Sequence, residues 1–190
     1  EYDLPNAIAL RDVLHRGSRL KFNPVSLDPQ SVAFLQYTGG TTGVAKGAIL
    51  SHRNVVANML QISEWMKPKI VTGETVIAPL PLYHVFSLTV NCLAFFKQGG
   101  HNILITNPRD IAGLIKELRT HKFTVFVGLN TLFNALLNNS EFASVDFTNL
   151  KISVAGGMAM QKAVVIRWQE VTGTPLVEGY GLTEASPVVC

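Results

Sequence analysis

The residues from Thr38 to Gly47, TGGTTGVAKG, combine glycines, hydroxyls and a lysine in a composition suited to holding phosphate. Gly39, Gly40 and Gly43 carry no Cβ, so the backbone can bend and turn consecutive N–H groups toward one anion. Thr38, Thr41 and Thr42 add hydroxyl donors, and Lys46 adds a positive charge on a long stem. A strand-like run from Ser31 to Gln36 precedes the segment and a helical pattern follows it, as in phosphate loops of α/β proteins. The Walker A pattern is a poor match. It needs glycine directly before the lysine and a magnesium-binding serine or threonine directly after it, where this chain has Ala45 and Gly47. Two later segments also carry reactive side chains. His84 stands among Tyr83, Val85 and Phe86, where a histidine taken alone is more often a satisfied structural residue than a functional one. Tyr180-Gly181-Leu182-Thr183-Glu184, taken alone, fits a surface turn with a capping glutamate equally well.

These segments need a scaffold, and the pattern supplies one. Strand-like runs at Ser31 to Gln36, Thr75 to Leu80, Asn102 to Thr106, Phe123 to Gly128, Lys151 to Ala155 and Pro175 to Glu178 alternate with helical patterns. The alternation predicts an α/β fold with a largely parallel sheet flanked by helices. Ser51 can cap a helix that runs to Met66, with Val55, Met59, Ile62 and Met66 on one stripe and Pro68 just beyond. Ile111, Leu114, Ile115 and Leu118 make a second stripe, and Ala163, Val164, Trp168 and Val171 a third that Gly173 can terminate. Glu1 to Ser18 reads as a helical stretch leading into a loop.

Composition narrows the function classes. The chain has 190 residues, 47% hydrophobic and 15% charged, enough for one domain with a substantial core and on the apolar side for a soluble protein. The net charge is +3 without a dense Lys/Arg cluster, so nucleic-acid binding has no support. Two cysteines, Cys92 and Cys190, stand far apart with no metal-ligand spacing, which argues against disulfide scaffolding and zinc. No signal peptide is visible, and a reducing cytosol is the expected compartment. Val76 to Phe96 contains no Asp, Glu, Lys or Arg and approaches the length of about 20 residues that a membrane span needs. Pro79, Pro81, His84, Ser87, Thr89 and Asn91 interrupt it, so strand, loop and core helix are the expected reading.

The segment from Thr38 to Gly47 resembles the phosphate loop of the adenylate-forming superfamily, which includes acyl-CoA synthetases, luciferases and the adenylation domains of peptide synthetases. The usual form is T-S-G-T-T-G-x-P-K-G, from which this chain departs at Gly39 and Ala45. Pro81-Leu82-Tyr83-His84-Val85-Phe86 resembles the family's aromatic-histidine motif, and Glu178-Gly179-Tyr180-Gly181-Leu182-Thr183-Glu184 its Y-G-x-T-E motif, in the expected order. The wording of the whole chain, including Gly128 to Leu137 and Ala155-Gly156-Gly157-Met158, is most similar to bacterial long-chain fatty acid-CoA ligases.

The resemblance implies ATP, magnesium and CoA, with a fatty acid as the second substrate. It assigns Thr38, Gly39, Gly40, Thr41, Thr42, Gly43 and Lys46 to the β- and γ-phosphates. Tyr180 would border the adenine, with Gly156, Gly157, Glu178, Gly179 and Gly181 around its slot, and Thr183 would contact the α-phosphate. Glu184 would help bind magnesium with Thr38 as a second ligand. His84 would lie near the substrate carboxylate, and Val85 and Gly128 would border the acyl chain together with Leu129, Leu132, Phe133 and Leu136. For that apolar face an ordinary core helix is an equal reading.

By the same resemblance, residues 1–190 are expected to be part of an N-terminal AMP-binding domain, with a preceding segment and a C-terminal lid domain outside the chain. No T-G-D motif is found in it, and the piece alone is expected to have little or no turnover. A cytoplasmic location is expected, and peripheral contact with the inner face of the cell membrane and a homodimer are both compatible with the sequence. The alternatives are an adenylating enzyme with another acceptor such as a carrier protein, a nucleotide-binding module without catalysis, and a membrane-associated interaction protein built around Val76 to Phe96.

Overall fold

The computed structural model of the chain describes residues 5, 7–38 and 45–190. A helix, α1 (Leu10–Gly17), comes first and buries none of its residues. Strands β1 (Val32–Thr38) and β2 (Lys46–Ser51) follow as an antiparallel pair, with Thr38 opposite Lys46 at the loop end. The sequence pattern predicts a helix after the phosphate-type segment, but a second strand comes first. Gly47 and Ala48 hide that strand, because neither has the β-branched or aromatic character that marks a run as extended. Gly47 lies against the Tyr37 ring, where an added Cβ would stand 3.6 Å from the ring's Cζ.

Helix α2 (His52–Met66) then starts where the sequence predicts. Ser51 Oγ accepts from the Asn54 N–H at 3.2 Å and Asn54 Oδ1 accepts from the Ser51 N–H at 3.4 Å, closing a capping box. The rest of the chain winds β3 (Thr75–Ala78), α3 (Val85–Ser87), a π-helical stretch (Leu88–Ala94), α4 (Phe95–Lys97), β4 (His101–Leu104), α5 (Ile111–Thr120), β5 (Val125–Gly128), α6 (Asn130–Leu137), β6 (Ile152–Ala155), α7 (Lys162–Thr172) and β7 (Leu176–Glu178). Gly173 ends α7 in the left-handed region at φ 70°, the conformation expected of a glycine at that place.

The five later strands form one parallel sheet in the order β4-β3-β5-β6-β7. Strands β5 and β6 are buried along their whole length, as parallel strands covered on both faces must be. Side chains alternate between two cores. Ile77 and Phe126 face α5, α6 and α7, among Leu114, Ile115, Leu118, Phe133, Leu136 and Trp168. Val76, Val125, Val127 and Val154 face Ile62 and Met66 of α2 with Phe86, Val90 and Phe95. A smaller cluster, Leu50, Val55 and Val85, seats the β1–β2 pair on α2 and α3. The chain leaves β3 toward β4 on one side and later builds β5, β6 and β7 on the other. The strand order therefore reverses beside β3, and the crevice at such a reversal is where open α/β sheets bind ligands.

Val76 to Phe96 is thus distributed over β3, a loop, α3, the π-helical stretch and α4. Among the described residues no helix is long and apolar enough to cross a membrane.

Two features hold the scaffold. Trp168 is 1% exposed, meets Phe133 edge-on with ring centroids 4.6 Å apart, and donates its Nε1–H to Ser153 Oγ at 3.0 Å. At the amino edge of the sheet, the Glu74 side chain is 3% exposed and accepts from Lys151 Nζ at 2.6 Å and from the Val71 N–H at 2.9 Å. Burial alone would raise the Glu74 pKa. The Lys151 hydrogen bond, the Val71 N–H, the Thr124 hydroxyl and the Lys151 charge outweigh it and hold the carboxyl below its ordinary value of 4.5.

Trp168→Ala should lower unfolding free energy by about 3–5 kcal/mol in urea melts, from lost aromatic contact and a cavity that α6 and α7 cannot close. Because Glu74 is more acidic folded than unfolded, it stabilises the protein above about pH 4.5, and that contribution disappears as pH falls through the folded value. Glu74→Gln should therefore lose stability at pH 7, and the gap to wild type should narrow below about pH 4.5; a gap independent of pH in chemical denaturation would contradict this.

Candidate functional site

One cavity of about 860 Å³ opens at the carboxyl edge of the sheet. The ends of three parallel strands feed it, and the β1–β2 pair and α2 close its side. Thr38 from the end of β1, His84 and Val85 from the segment after β3, Gly157 after β6, and Glu178, Gly179, Tyr180, Gly181, Thr183 and Glu184 after β7 all border it. Segments from opposite ends of the chain therefore meet on one space.

Each segment is fixed by local bonds. Gln36 of β1 donates its side-chain amide to the Tyr83 carbonyl at 2.9 Å, which ties the first strand to the loop carrying His84. His84 caps α3: its Nδ1 accepts from the Phe86 N–H at 3.2 Å. An accepting Nδ1 leaves the neutral ring its proton on Nε2, so the outer nitrogen is a donor. The ring of Phe86 lies over Gly156, where an added Cβ would come 2.8 Å from the ring's Cζ. Gly157 follows at φ 78°, a left-handed position that suits glycine. Glu178 Oε1 accepts from the Met160 N–H at 3.1 Å, joining the turn after β6 to the end of β7.

The segment from Tyr180 to Cys190 folds back as a narrow hairpin-like turn. The Tyr180 N–H donates to the Cys190 carbonyl at 2.7 Å, the Val189 N–H to the Tyr180 carbonyl at 2.9 Å and the Leu182 N–H to the Pro187 carbonyl at 3.0 Å. Gly181 pairs with Val188 across an isolated antiparallel bridge. A 3-10 turn at Thr183–Ala185 forms its tip and carries Glu184.

Other sequence-predicted residues fall elsewhere. Gly39, Gly40, Thr41, Thr42 and Gly43 lie outside the described residues. Lys46 begins β2 at the loop end of the hairpin, exposed, with its carbonyl accepting from Thr38 Oγ1 at 3.3 Å. Gly128 and Gly156 are buried at the ends of β5 and β6, joined by the Gly156 N–H donating to the Gly128 carbonyl at 3.3 Å. The apolar face of α6 is core: Phe133 and Leu136 are fully buried and Leu132 nearly so.

Sequence reasoning missed the α2 wall of the cavity. Asn58, Gln61, Ile62, Trp65 and Met66 line it, opposite Val90, Val154 and Val177. The one available signal was Asn58, a polar residue between Val55 and Ile62 on an otherwise apolar stripe. Among the described residues no group of three or more His, Cys, Asp and Glu could hold a metal by itself.

Gly181→Ala should disrupt the turn, because its Cβ would run into the Pro187 carbonyl, a backbone group with little room to yield. We expect a loss of about 1–3 kcal/mol in denaturant melts and faster amide exchange at Leu182; exchange at the wild-type rate would show that the turn is not held in this way.

Comparison with known proteins agrees with this geometry. The family described as AMP-binding enzyme matches residues 4–190. A long-chain-fatty-acid–CoA ligase of Escherichia coli O6:H1 is 55% identical over 190 residues, covering 100% of this chain and 34% of the relative. A long-chain-fatty-acid–CoA ligase of Haemophilus influenzae is 51% identical over 193 aligned residues, again with 100% and 34% covered. The chain thus spans about a third of the length of the curated relatives it matches. Among solved structures, ATP-bound MatB from Rhodopseudomonas palustris superposes with a TM-score of 0.74 at 26% identity, covering 88% of this chain and 32% of that one. With the match running over residues 4–190, the chain belongs to the AMP-binding enzyme family.

Proposed function

We propose that these residues are part of the AMP-binding domain of an ATP-dependent ligase that activates a long-chain fatty acid as its acyl-adenylate and transfers the acyl group to CoA. The observation that carries the reading is the shared cavity, bordered by Thr38 from the phosphate-type hairpin and by Tyr180 to Glu184 from the far end of the chain. The relatives' names supply the acid and the acceptor.

The chemistry explains why such a cavity is useful. A carboxylate is a poor acylating agent because its leaving group would be an oxide. Its oxygen attacks the α-phosphorus of ATP, the bond to the β-phosphate oxygen breaks, and pyrophosphate leaves. The CoA sulfur then attacks the acyl carbon, the thiol proton is lost, and AMP departs with the carboxylate oxygen.

The segment from Thr38 to Lys46 holds the β- and γ-phosphates, where backbone N–H groups and the Lys46 ammonium stabilise charge that grows as pyrophosphate forms. Tyr180 lies against the adenine with Gly157, Glu178 and Gly179 around it, and Thr183 contacts the α-phosphate. His84 offers its Nε2–H to the carboxylate oxygen or to the adenylate carbonyl that replaces it. The Thr38 hydroxyl and the Glu184 carboxylate are hard oxygen donors bordering the same cavity, and they fit a magnesium ion whose remaining shell is phosphate and water. When bound, that ion supplies neutralising charge to the phosphates. A cytoplasmic enzyme that meets its acid at the inner face of the membrane, with other parts of the enzyme supplying the remaining contacts, fits this reading.

The test is carboxylate-dependent ATP–pyrophosphate exchange by the intact enzyme, across acids of increasing chain length. Lys46→Ala and Glu184→Ala should each lower the rate by about 10²–10³-fold, the usual cost of removing one preorganised charge-stabilising group. Exchange that survives both substitutions would reject the site, and a preference for short acids would reject the substrate.

A further inference from the structure

We propose that Asn58 is a positioning residue that fixes the cavity wall formed by Tyr180 to Cys190, a role resting on the nucleotide-site reading above.

The argument begins with strand geometry. In the turn from Tyr180 to Cys190, the Pro187 carbonyl and the Val189 N–H point inward and pair with Leu182 and Tyr180. An extended backbone alternates, so the N–H and carbonyl of Val188 point the other way, where a sheet would need another strand. Helix α2 runs there instead. Asn58 Oδ1 accepts from the Val188 N–H at 3.1 Å, and Asn58 Nδ2 donates to the Val188 carbonyl at 2.7 Å. The second Nδ2 hydrogen reaches Gln61 Oε1 at 3.3 Å, which fixes the amide's orientation. One side-chain amide thus does what a neighbouring peptide group would do. Asparagine and glutamine are the side chains that carry an amide, with donor and acceptor on one carbon.

The location gives the contact its consequence. Asn58 is 4% exposed yet borders the cavity, so these bonds are made largely away from water. Tyr180 sits on the other limb of the same turn and Thr183 and Glu184 at its tip, joined to the Val188 limb by the bonds above. A shift at Val188 is therefore passed to all three. The same helix grows from β2, whose first residue is Lys46, so Asn58 links the two halves of the nucleotide site through one rigid element.

The experiment uses the intact enzyme with Asn58→Leu, which keeps the branching and the number of heavy atoms and removes both bonds, and Asn58→Asp, which keeps the acceptor and sets a carboxylate against the Val188 carbonyl. Amide exchange should accelerate in Tyr180 to Cys190 in both variants and stay near wild type in the α5–α7 core. The KM for ATP in pyrophosphate exchange should rise about tenfold, as expected for two lost buried hydrogen bonds, with kcat changed less and the KM for the acid near wild type. Acceleration spread evenly over the whole chain, or an unchanged KM for ATP in a folded variant, would overturn the inference. Wild-type enzyme that neither binds ATP nor exchanges pyrophosphate would instead remove the functional reading, and the amide-exchange pattern would still decide whether Asn58 holds the turn.

Discussion

The site depends on the parallel direction of the central strands. When β3, β5, β6 and β7 run the same way, every chain leaving a strand emerges at one edge. Residues 80, 156 and 178 are far apart in sequence yet brought to a common rim by ladder pairing alone. The pairing is enforced by burial: the valines of β3, β5 and β6 face one core and Ile77 and Phe126 the other, so a one-residue slip of any strand would turn its apolar set to the wrong side. At the opposite edge, the Glu74–Lys151 pair and the Thr75–Thr124 hydrogen bonds join the starts of β3, β5 and β6. The amino edge is locked by polar bonds and the carboxyl edge opens on the cavity.

The carboxyl edge has its own difficulty, since loops at a crevice carry backbone groups with no ladder to satisfy them. The chain meets it with side chains that imitate peptides. Asn58 stands in for a strand beside Val188, His84 Nδ1 accepts the orphan N–H of Phe86, Gln36 donates to the Tyr83 carbonyl, and Glu178 accepts from Met160. In each case a polar side chain bordering the site, or adjoining it, fixes a neighbouring loop. Positioning and ligand contact are shared among few residues, and substitutions at them will couple rather than add.

The sheet strands, the stripes of α2, α5 and α7 and the caps at Ser51 and Gly173 were legible because each follows from a local period or a local φ requirement. So was the meeting of Thr38 with Tyr180 to Glu184, through motif order rather than periodicity. What escaped was non-local. Strand β2 was hidden because Gly47 and Ala48 gain their extended conformation from β1 across the hairpin, and the α2 wall because a stripe facing a cavity has the same spacing as one facing a core. The reverse ambiguity applies to α6, whose apolar face suits a tunnel by pattern but packs on Phe126 and Trp168.

That last contrast constrains where the space around the site can vary. Phe133 and Leu136 are fully buried, and truncating such residues costs about 2–5 kcal/mol, a large share of the 5–15 kcal/mol that holds a typical domain together. A binding preference tuned there would be tuned against folding. Ile62 and Met66 of α2 border the cavity but are themselves buried in the core beside Val76 and Val154, so they too are tied to folding. Trp65 is largely exposed, so a change in its size alters the space offered to a ligand with little cost to the core. The place where the cavity wall can be reshaped at little cost to the core is therefore Trp65 on α2, not the apolar face of α6.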